Sequence, residues 1–383
     1  MYPGTGIALQ PGAEISPIYD SAGSWIQPHQ HWCSTPSTAS VTVSISAPNG
    51  IEVCTLVGVQ PGSSTINLRL RDDTASLLVA VRTLRFVAAP PNIGASGWSW
   101  VEVASPSLAY LAEGDGEQAF FVRLNPSTGG YDQVPLDIGS STGGAIVLNS
   151  TGTRAFAIAG DLAVRVDVGS DLPLDTLTTT PPFATTGGVY AARMGLRDSL
   201  VFVGAGGRVF AIDVHDTMTV AWDVPISGRA VWLAPAPDGT RLYVSTQDLP
   251  GGAPRHVIAL DAGTGDSLRS FPVDSLVQGI AVSPDGARLF IVSEGGPIYS
   301  CPVAGSSCDS TGFGFPWLDA AISPDGSTLF AVDPYQNGVA EFDAATLHQR
   351  GWIGLKQYPS NRLSASVAAG LYVLAGGLTK VGW

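Results

Sequence analysis

At 383 residues the chain has room for two or three domains. Charged residues make up 13% against 46 Gly and 28 Pro, which excludes a salt-bridged helical bundle and points to short strands joined by tight turns. With a net charge of −13 and two lysines, Lys356 and Lys380, there is no basic stripe for phosphate, so neither nucleic acid nor an anionic lipid surface is an expected partner.

The N-terminus, Met1-Tyr2-Pro3-Gly4, has no basic or apolar leader region. Either the protein is cytoplasmic or the chain is a mature or trimmed product, and the second reading is preferred. Residues 1–88 read as a first domain of short alternating strands with frequent turns, the pattern of a β-sandwich. Two short strands are expected between Gly6 and Asp20, around Pro11-Gly12, then the Val41-Thr-Val43 strand, one at Ile51 to Val57, the phrase Gly58 to Leu68, and a final strand at Ser76 to Leu84. No apolar run reaches the roughly 18 residues of a membrane span. The best candidate, Ser76 to Val87, is broken by Arg82 and Arg85 in strand-like alternation.

Residues 89–383 carry a repeated phrase: Pro235-Ala-Pro-Asp-Gly-Thr-Arg-Leu-Tyr-Val-Ser245, Val282-Ser-Pro-Asp-Gly-Ala-Arg-Leu-Phe-Ile-Val292 and Ile322-Ser-Pro-Asp-Gly-Ser-Thr-Leu-Phe-Ala-Val332. Weaker copies begin at Ala104, Leu148, Met194 and Val367. Seven copies at roughly 40 to 50 residues is the period of propeller blades. Small apolar residues before each phrase predict a buried inner strand. Pro-Asp-Gly predicts a turn, and the bulky alternating residues after it a second strand apolar on both faces. A third strand ends on a turn-forming polar residue, as at Asp167, Asp213, Asp261 and Asp343, and a fourth completes the blade. After Leu371-Tyr-Val-Leu374 the last blade has residues for a third strand alone. Its outer strand must come from upstream, and Thr83-Leu-Arg-Phe-Val-Ala88 is the right length.

The Ser-Pro-Asp-Gly-x-x-Leu-Phe/Tyr-Val phrases resemble the YVTN-type repeat and, more broadly, the seven-bladed lactonase-like propellers. The N-terminal stretch resembles the bacterial Ig-like group 2 family through Trp32, the Val-Thr-Val strand and Val59-Gln-Pro-Gly-Ser-Ser-Thr-Ile66. That resemblance implies a core position for Trp32 and an extracellular spacer or adhesion role. The expected fold is thus all-β, an N-terminal Ig-like β-sandwich followed by a seven-bladed β-propeller.

Four cysteines fall as two close pairs, Cys33 with Cys54 and Cys301 with Cys308. They read either as two disulfides in an oxidising compartment or as four buried thiols, and the first is preferred. The expected localisation is secreted, periplasmic or cell-surface. No nucleophile elbow, zinc-protease helix motif or phosphate loop is present, and no catalytic residue, cofactor or metal is expected. Gly204-Ala-Gly-Gly-Arg208 reads as a hairpin turn, His29 and His31 as a loop rather than a metal site, Glu113 to Glu117 as a solvated turn rather than a Ca²⁺ loop, and Asn149-Ser-Thr151 as a repeat turn. Loops leading into inner strands place Trp98, Trp100, Arg229, Trp232, Gln278, Trp317, Asp319 and Arg362 around the channel mouth. Aromatics beside a few polar groups suit a sugar or peptide, or else the tryptophans pack between blades. The expected function is a non-enzymatic binding or scaffold protein with a protein or glycan partner at the cell surface, able to form a homo-oligomer or polymer through the Ig-like module. The alternatives are a lactonase-type hydrolase at the channel, with Asp319 and Arg362 as its test positions, and a periplasmic redox or metal propeller.

Overall fold

The computed structural model describes residues 6–9, 14–15, 31–33, 36–46, 53–70, 73–81, 85–88 and 100–382, the last span without 106, 115–118, 134–143, 171, 180–182, 184–188, 196, 248–255, 274–275, 295, 306, 312–316, 334–336, 356–362, 367–369 and 375–376. Every regular element within them is a β-strand.

The repeated phrase makes the turn its residues demand. Gly239, Gly286 and Gly326 adopt φ of +73°, +70° and +74°, the left-handed region open to glycine. Their amides donate to the carbonyls of Ala236, Ser283 and Ser323 at 2.8–2.9 Å. The Ser283 and Ser323 hydroxyls accept from the amides of Arg288 and Thr328, both at 2.9 Å, and so launch the second strand. That strand is apolar on both faces, as expected: Leu289, Phe290, Ile291, Val292 and Ser293 are all buried.

Each blade is an antiparallel sheet numbered here from its inner strand outward. Blade 1 comprises Trp100–Ser105, Leu108–Gly114, Ala119–Leu124 and Tyr131–Gln133, and blade 2 Gly144–Leu148, Arg154–Ala159, Leu162–Asp167 and Leu172–Thr178. Blade 3 comprises Val189–Met194, Leu200–Ala205, Arg208–Asp213 and Thr219–Pro225, and blade 4 Arg229–Pro235, Arg241–Gln247, His256–Asp261 and Ser267–Pro272. Blade 5 comprises Leu276–Val282, Arg288–Glu294, Tyr299–Pro302 and Asp309–Ser310, and blade 6 Ala320–Ile322, Thr328–Asp333, Gly338–Asp343 and Gln349–Gly354. In blade 7, Leu363–Ser366, Gly370–Leu374 and Gly377–Gly382 take their outer strand from upstream. Arg85–Ala88 pairs antiparallel with the last strand, Lys380 facing Arg85 and Gly377 facing Ala88, so the expected closure forms.

The inner strand of each blade packs on that of the next, and blade 7 returns to blade 1, which shuts the ring. The apolar core lies between blades rather than within one. One cluster joins Val101, Val122 and Leu124 of blade 1 to Tyr372 and Leu378 of blade 7, and another joins Phe330 and Val332 of blade 6 to Leu371 and Val373. Close blade contact explains the small inner-strand residues: a Cβ at Gly279 would meet the Ala320 nitrogen and the Asp319 Cα at 2.8 Å.

Upstream residues form two sheets. One has the order Glu14–Ile15, Val53–Gly58, Val41–Ser46. In the other, Gly6–Leu9, Asp73–Val81, Gly62–Leu70 and His31–Cys33 follow one another and continue blade 6 into an eight-stranded sheet. Gly6–Leu9 runs parallel to blade 6's outer strand on one side and to Asp73–Val81 on the other. Val41, Leu56 and Ile66 are buried in the same apolar cluster as Trp317, Phe342 and Trp352 of blade 6.

Blade 5 has the shortest outer strand among the seven, two residues long. The Cys301–Cys308 disulfide lies in this blade and joins the third strand to the start of the fourth. It encloses a short loop, for which chain entropy gives roughly 2.5 kcal/mol. Cys33 and Cys54 lie on the strands His31–Cys33 and Val53–Gly58, with their side chains outside the described residues.

Candidate functional site at the channel mouth

Inner strands line the channel, and three of them carry the same irregularity. Register shifts between Val189 and Ala191, Ala230 and Trp232, and Val277 and Gly279 leave Tyr190, Val231 and Gln278 as the extra residue in blades 3, 4 and 5. A bulge re-aims the side chain it carries, and these sit in phase on adjacent blades near the start of the strand. All three side chains are part-exposed, while their neighbours Val189, Ala191, Ala230, Trp232, Val277 and Gly279 are buried.

Arg229 opens blade 4 and stacks its guanidinium over the Tyr190 ring, 5.5 Å from the centroid. Among the described residues it has neither an ion pair nor a hydrogen bond. Most other described arginines hold a carboxylate, for example Arg165 with Asp175, Arg154 with Asp167, and Arg208 with Asp223. A ring face binds a guanidinium without using its N–H donors, so those of Arg229 remain available. In blade 5, Gln278 Nε2 donates to Glu294 Oε2 at 2.9 Å, which leaves Gln278 Oε1 as an acceptor on the same rim.

Deeper in the channel, Arg193 of blade 3 lies 4.7 Å from the centroid of the Trp100 ring and 3.7 Å from Glu102 Oε1. Both partners belong to blade 1, so the arginine passes in front of blade 2, whose inner strand begins with Gly144 and Ala145. Tyr190, Arg193, Glu102 and Glu294 were not anticipated from the sequence. The signal that could have found Tyr190 is an alignment of the inner strands, which brings Val189-Tyr190, Ala230-Val231 and Val277-Gln278 into register.

The remaining expected residues divide. Trp100, Trp232 and Trp317 are buried, Trp317 edge-on to Phe342 with centroids 5.4 Å apart. Asp319 is also buried; its Oδ1 accepts from the Ala320 amide at 2.8 Å and its Oδ2 from the Leu363 amide at 2.7 Å. That carboxylate pins the first residue of blade 7 to blade 6. Trp98 and Arg362 lie outside the described residues, as do His29 and most of Glu113 to Glu117. Gly206-Gly207 forms the expected hairpin between the second and third strands of blade 3. Asn149 is spent on its own turn, its Oδ1 accepting from the amides of Thr153 and Arg154 and its Nδ2 donating to Thr151. Among the described residues no group of three or more His, Cys, Asp or Glu is placed to hold a metal ion, and no helix is long and apolar enough to cross a membrane.

No family model matches the chain, and no curated protein matches it in sequence. Solved structures do. A chain from the crystal structure of a mitotic checkpoint complex superposes with a TM-score of 0.63 at 14% identity, over 78% of this chain and 91% of that one. A chain from hydrazine synthase of Kuenenia stuttgartiensis gives a TM-score of 0.60 at 12% identity, over 76% and 97%. The likeness is to the propeller. At such identities it carries architecture, and 1540 matching chains show how widely that architecture is used. The Cys301–Cys308 disulfide is compatible with an extracellular location.

Proposed function

We propose that the protein is a secreted or cell-surface binding and scaffold protein, not an enzyme, which holds a protein or glycan partner at the channel mouth of blades 3 to 5. The observation that carries this is the Arg229 guanidinium on the Tyr190 ring, with no carboxylate partner among the described residues, beside the in-phase side chains of Val231 and Gln278. A cation with free donors next to an aromatic face and an amide suits an acidic group on the partner. In this reading residues 89–383 are a YVTN-type binding propeller. Residues 1–88 are a bacterial Ig-like module that spaces the propeller, lends it strand Arg85–Ala88 and mediates self-assembly. The two committed oxygens of Asp319 argue for a blade clamp over a lactonase-type acid or base.

Arrays of acidic peptides and of uronic- and sialic-acid glycans test it. Selective retention of the wild-type chain, reduced at least tenfold in both Arg229→Ala and Gln278→Ala, is the expected outcome. Equal retention by the Arg229→Ala protein, or none by either, rejects the site. Lactone hydrolysis that is lost in Asp319→Asn at unchanged melting temperature would instead favour the hydrolase.

A further inference from the structure

Resting on the self-assembly part of that reading, we propose that Gly6–Leu9 is exchangeable between copies of this chain. The slot between blade 6 and the N-terminal sheet would accept the same strand from a second molecule.

Three observations support it. First, the strand has no local tether to either neighbour. Gly6 to Leu9 pair with Leu78 to Val81 on one side and with Gly351 to Gly354 on the other, both far along the chain and both in parallel. In a hairpin, a tight turn dictates the partner; parallel pairing has no such turn, so a strand from another copy can satisfy the same register.

Second, the two edges that the strand covers are unguarded. Blade 1 carries Asp132 on its outer strand, blade 2 Pro173 and Asp175, blade 3 Asp223 and Pro225, blade 4 Arg269 and Pro272, blade 5 Asp309, and blade 7 Arg85. Charge and proline are the usual means of keeping an edge from recruiting another strand. Blade 6's outer strand has Arg350 and Asp73–Val81 has Asp73, but both lie outside the stretches that pair with Gly6–Leu9: Gly351-Trp-Ile-Gly354 and Leu78-Val-Ala-Val81 carry neither charge nor proline. These stretches are built to be paired, and vacating them exposes unpaired backbone N–H and C=O groups that another Gly-Ile-Ala-Leu can satisfy.

Third, the exchange changes little else. The strand's pairings are confined to its two neighbours in the slot, and every one of them is restored on the second molecule. Exchange of an identical element is a low-cost route to assembly. Reciprocal exchange gives a closed dimer, and one-way donation gives an open chain of copies.

The test mixes two full-length variants, Ala8→Cys and Ala80→Cys, whose positions face each other across the parallel pair. The mixture is incubated over a range of concentrations below the melting temperature, oxidised, and examined by non-reducing gel and by peptide mass. An Ala8Cys chain joined to an Ala80Cys chain, increasing several-fold for each tenfold rise in concentration, is the expected result. The double variant in one chain serves as the register control. If it closes internally while the mixture never cross-links, exchange is overturned. If it does not close, the strand does not occupy the slot and the proposal falls with it. If the wild-type protein oligomerises on size exclusion while the variant mixture never cross-links, assembly runs through another surface, which rejects exchange but leaves assembly standing. Binding on the arrays is read separately and depends on neither result.

Discussion

Single side chains do most of their work here on backbone amides. At the end of the third strand, Asp167 accepts from Gly169 and Ser170, Asp261 from Gly263 and Thr264, and Asp343 from Ala345 and Thr346, all at 2.8–3.0 Å. Asn125 makes the same bonds in blade 1, to Ser127 and Thr128, so the geometry does not require a charge. Where the residue is acidic, the bonds favour its ionised form. The Ser170 hydroxyl is the main cause of the lowered pKa of Asp167, and the Thr346 amide that of Asp343. In the Pro-Asp-Gly turn, the Ser323 hydroxyl and then the Ser327 amide hold Asp325 down to about 2, from an ordinary value of 3.8. A depressed native pKa means stability that is complete above the unfolded value and is lost as pH falls through the folded one. The urea midpoint should therefore decline between about pH 4 and pH 2, and Asp325→Asn should flatten that decline while leaving neutral stability close to wild type. An acid limb of unchanged steepness in Asp325→Asn would rule out this turn as its source. Asp319 is a different case because it is buried. Asp319→Ala strands two buried amides, with an expected loss of about 3 kcal/mol in chemical denaturation. Asn at this position keeps an acceptor for one of them and should fall in between.

At the scale of elements, neighbouring blades are stitched by a recurring contact. Arg165 of blade 2 donates to the Val214 and Asp216 carbonyls of blade 3, Trp222 of blade 3 to the Ala262 carbonyl of blade 4, and Arg269 of blade 4 to the Val303 and Gly305 carbonyls of blade 5. Each time, the acceptor is the turn that follows the next blade's third strand. Blade 7 is held differently on its two sides, by Asp319 from blade 6 and by its own Ser364, whose hydroxyl accepts from Val103 of blade 1 at 3.0 Å. Trp352 is buried on blade 6's outer strand, in the cluster shared with the N-terminal sheets. Trp352→Ala should cost about 4 kcal/mol in the denaturation midpoint. Reduction of Cys301–Cys308 should lower the melting temperature, with early loss of amide protection in the short outer strand of blade 5; protection that is unchanged there would show that the staple carries nothing.

These elements also mark where the sequence speaks and where it is silent. Turn chemistry and alternation are local, so Ser-Pro-Asp-Gly and the strand-ending Asp residues located the blades, and the missing strand of the last blade pointed to Arg85–Ala88. The parallel docking of Gly6–Leu9 went unseen because it has no turn and its partners lie at opposite ends of the chain. Arg193 and its blade 1 contacts were equally silent, since a bridge between non-adjacent blades leaves no motif in either strand. The channel tryptophans were ambiguous for a simpler reason: the same large ring suits a ligand face and a gap between blades, and burial alone separates the two.

For the whole molecule, the decisive link is the antiparallel pair Arg85–Ala88 with Gly377–Gly382. Removing residues 377–383 takes away a strand and orphans its neighbour on either side. Near-ultraviolet circular dichroism and cooperative melting should both be lost, and a truncated chain that still melts cooperatively near the wild-type temperature would mean the ring does not depend on this seam. The same pair sets an order of events in the cell. A ribosome delivers Arg85–Ala88 before any blade and its partner only after the first six, so those blades can emerge and fold while the seventh waits for Gly377–Gly382. Until then the nascent protein presents an open flank on either side of the gap, and holding factors would have that whole interval in which to act.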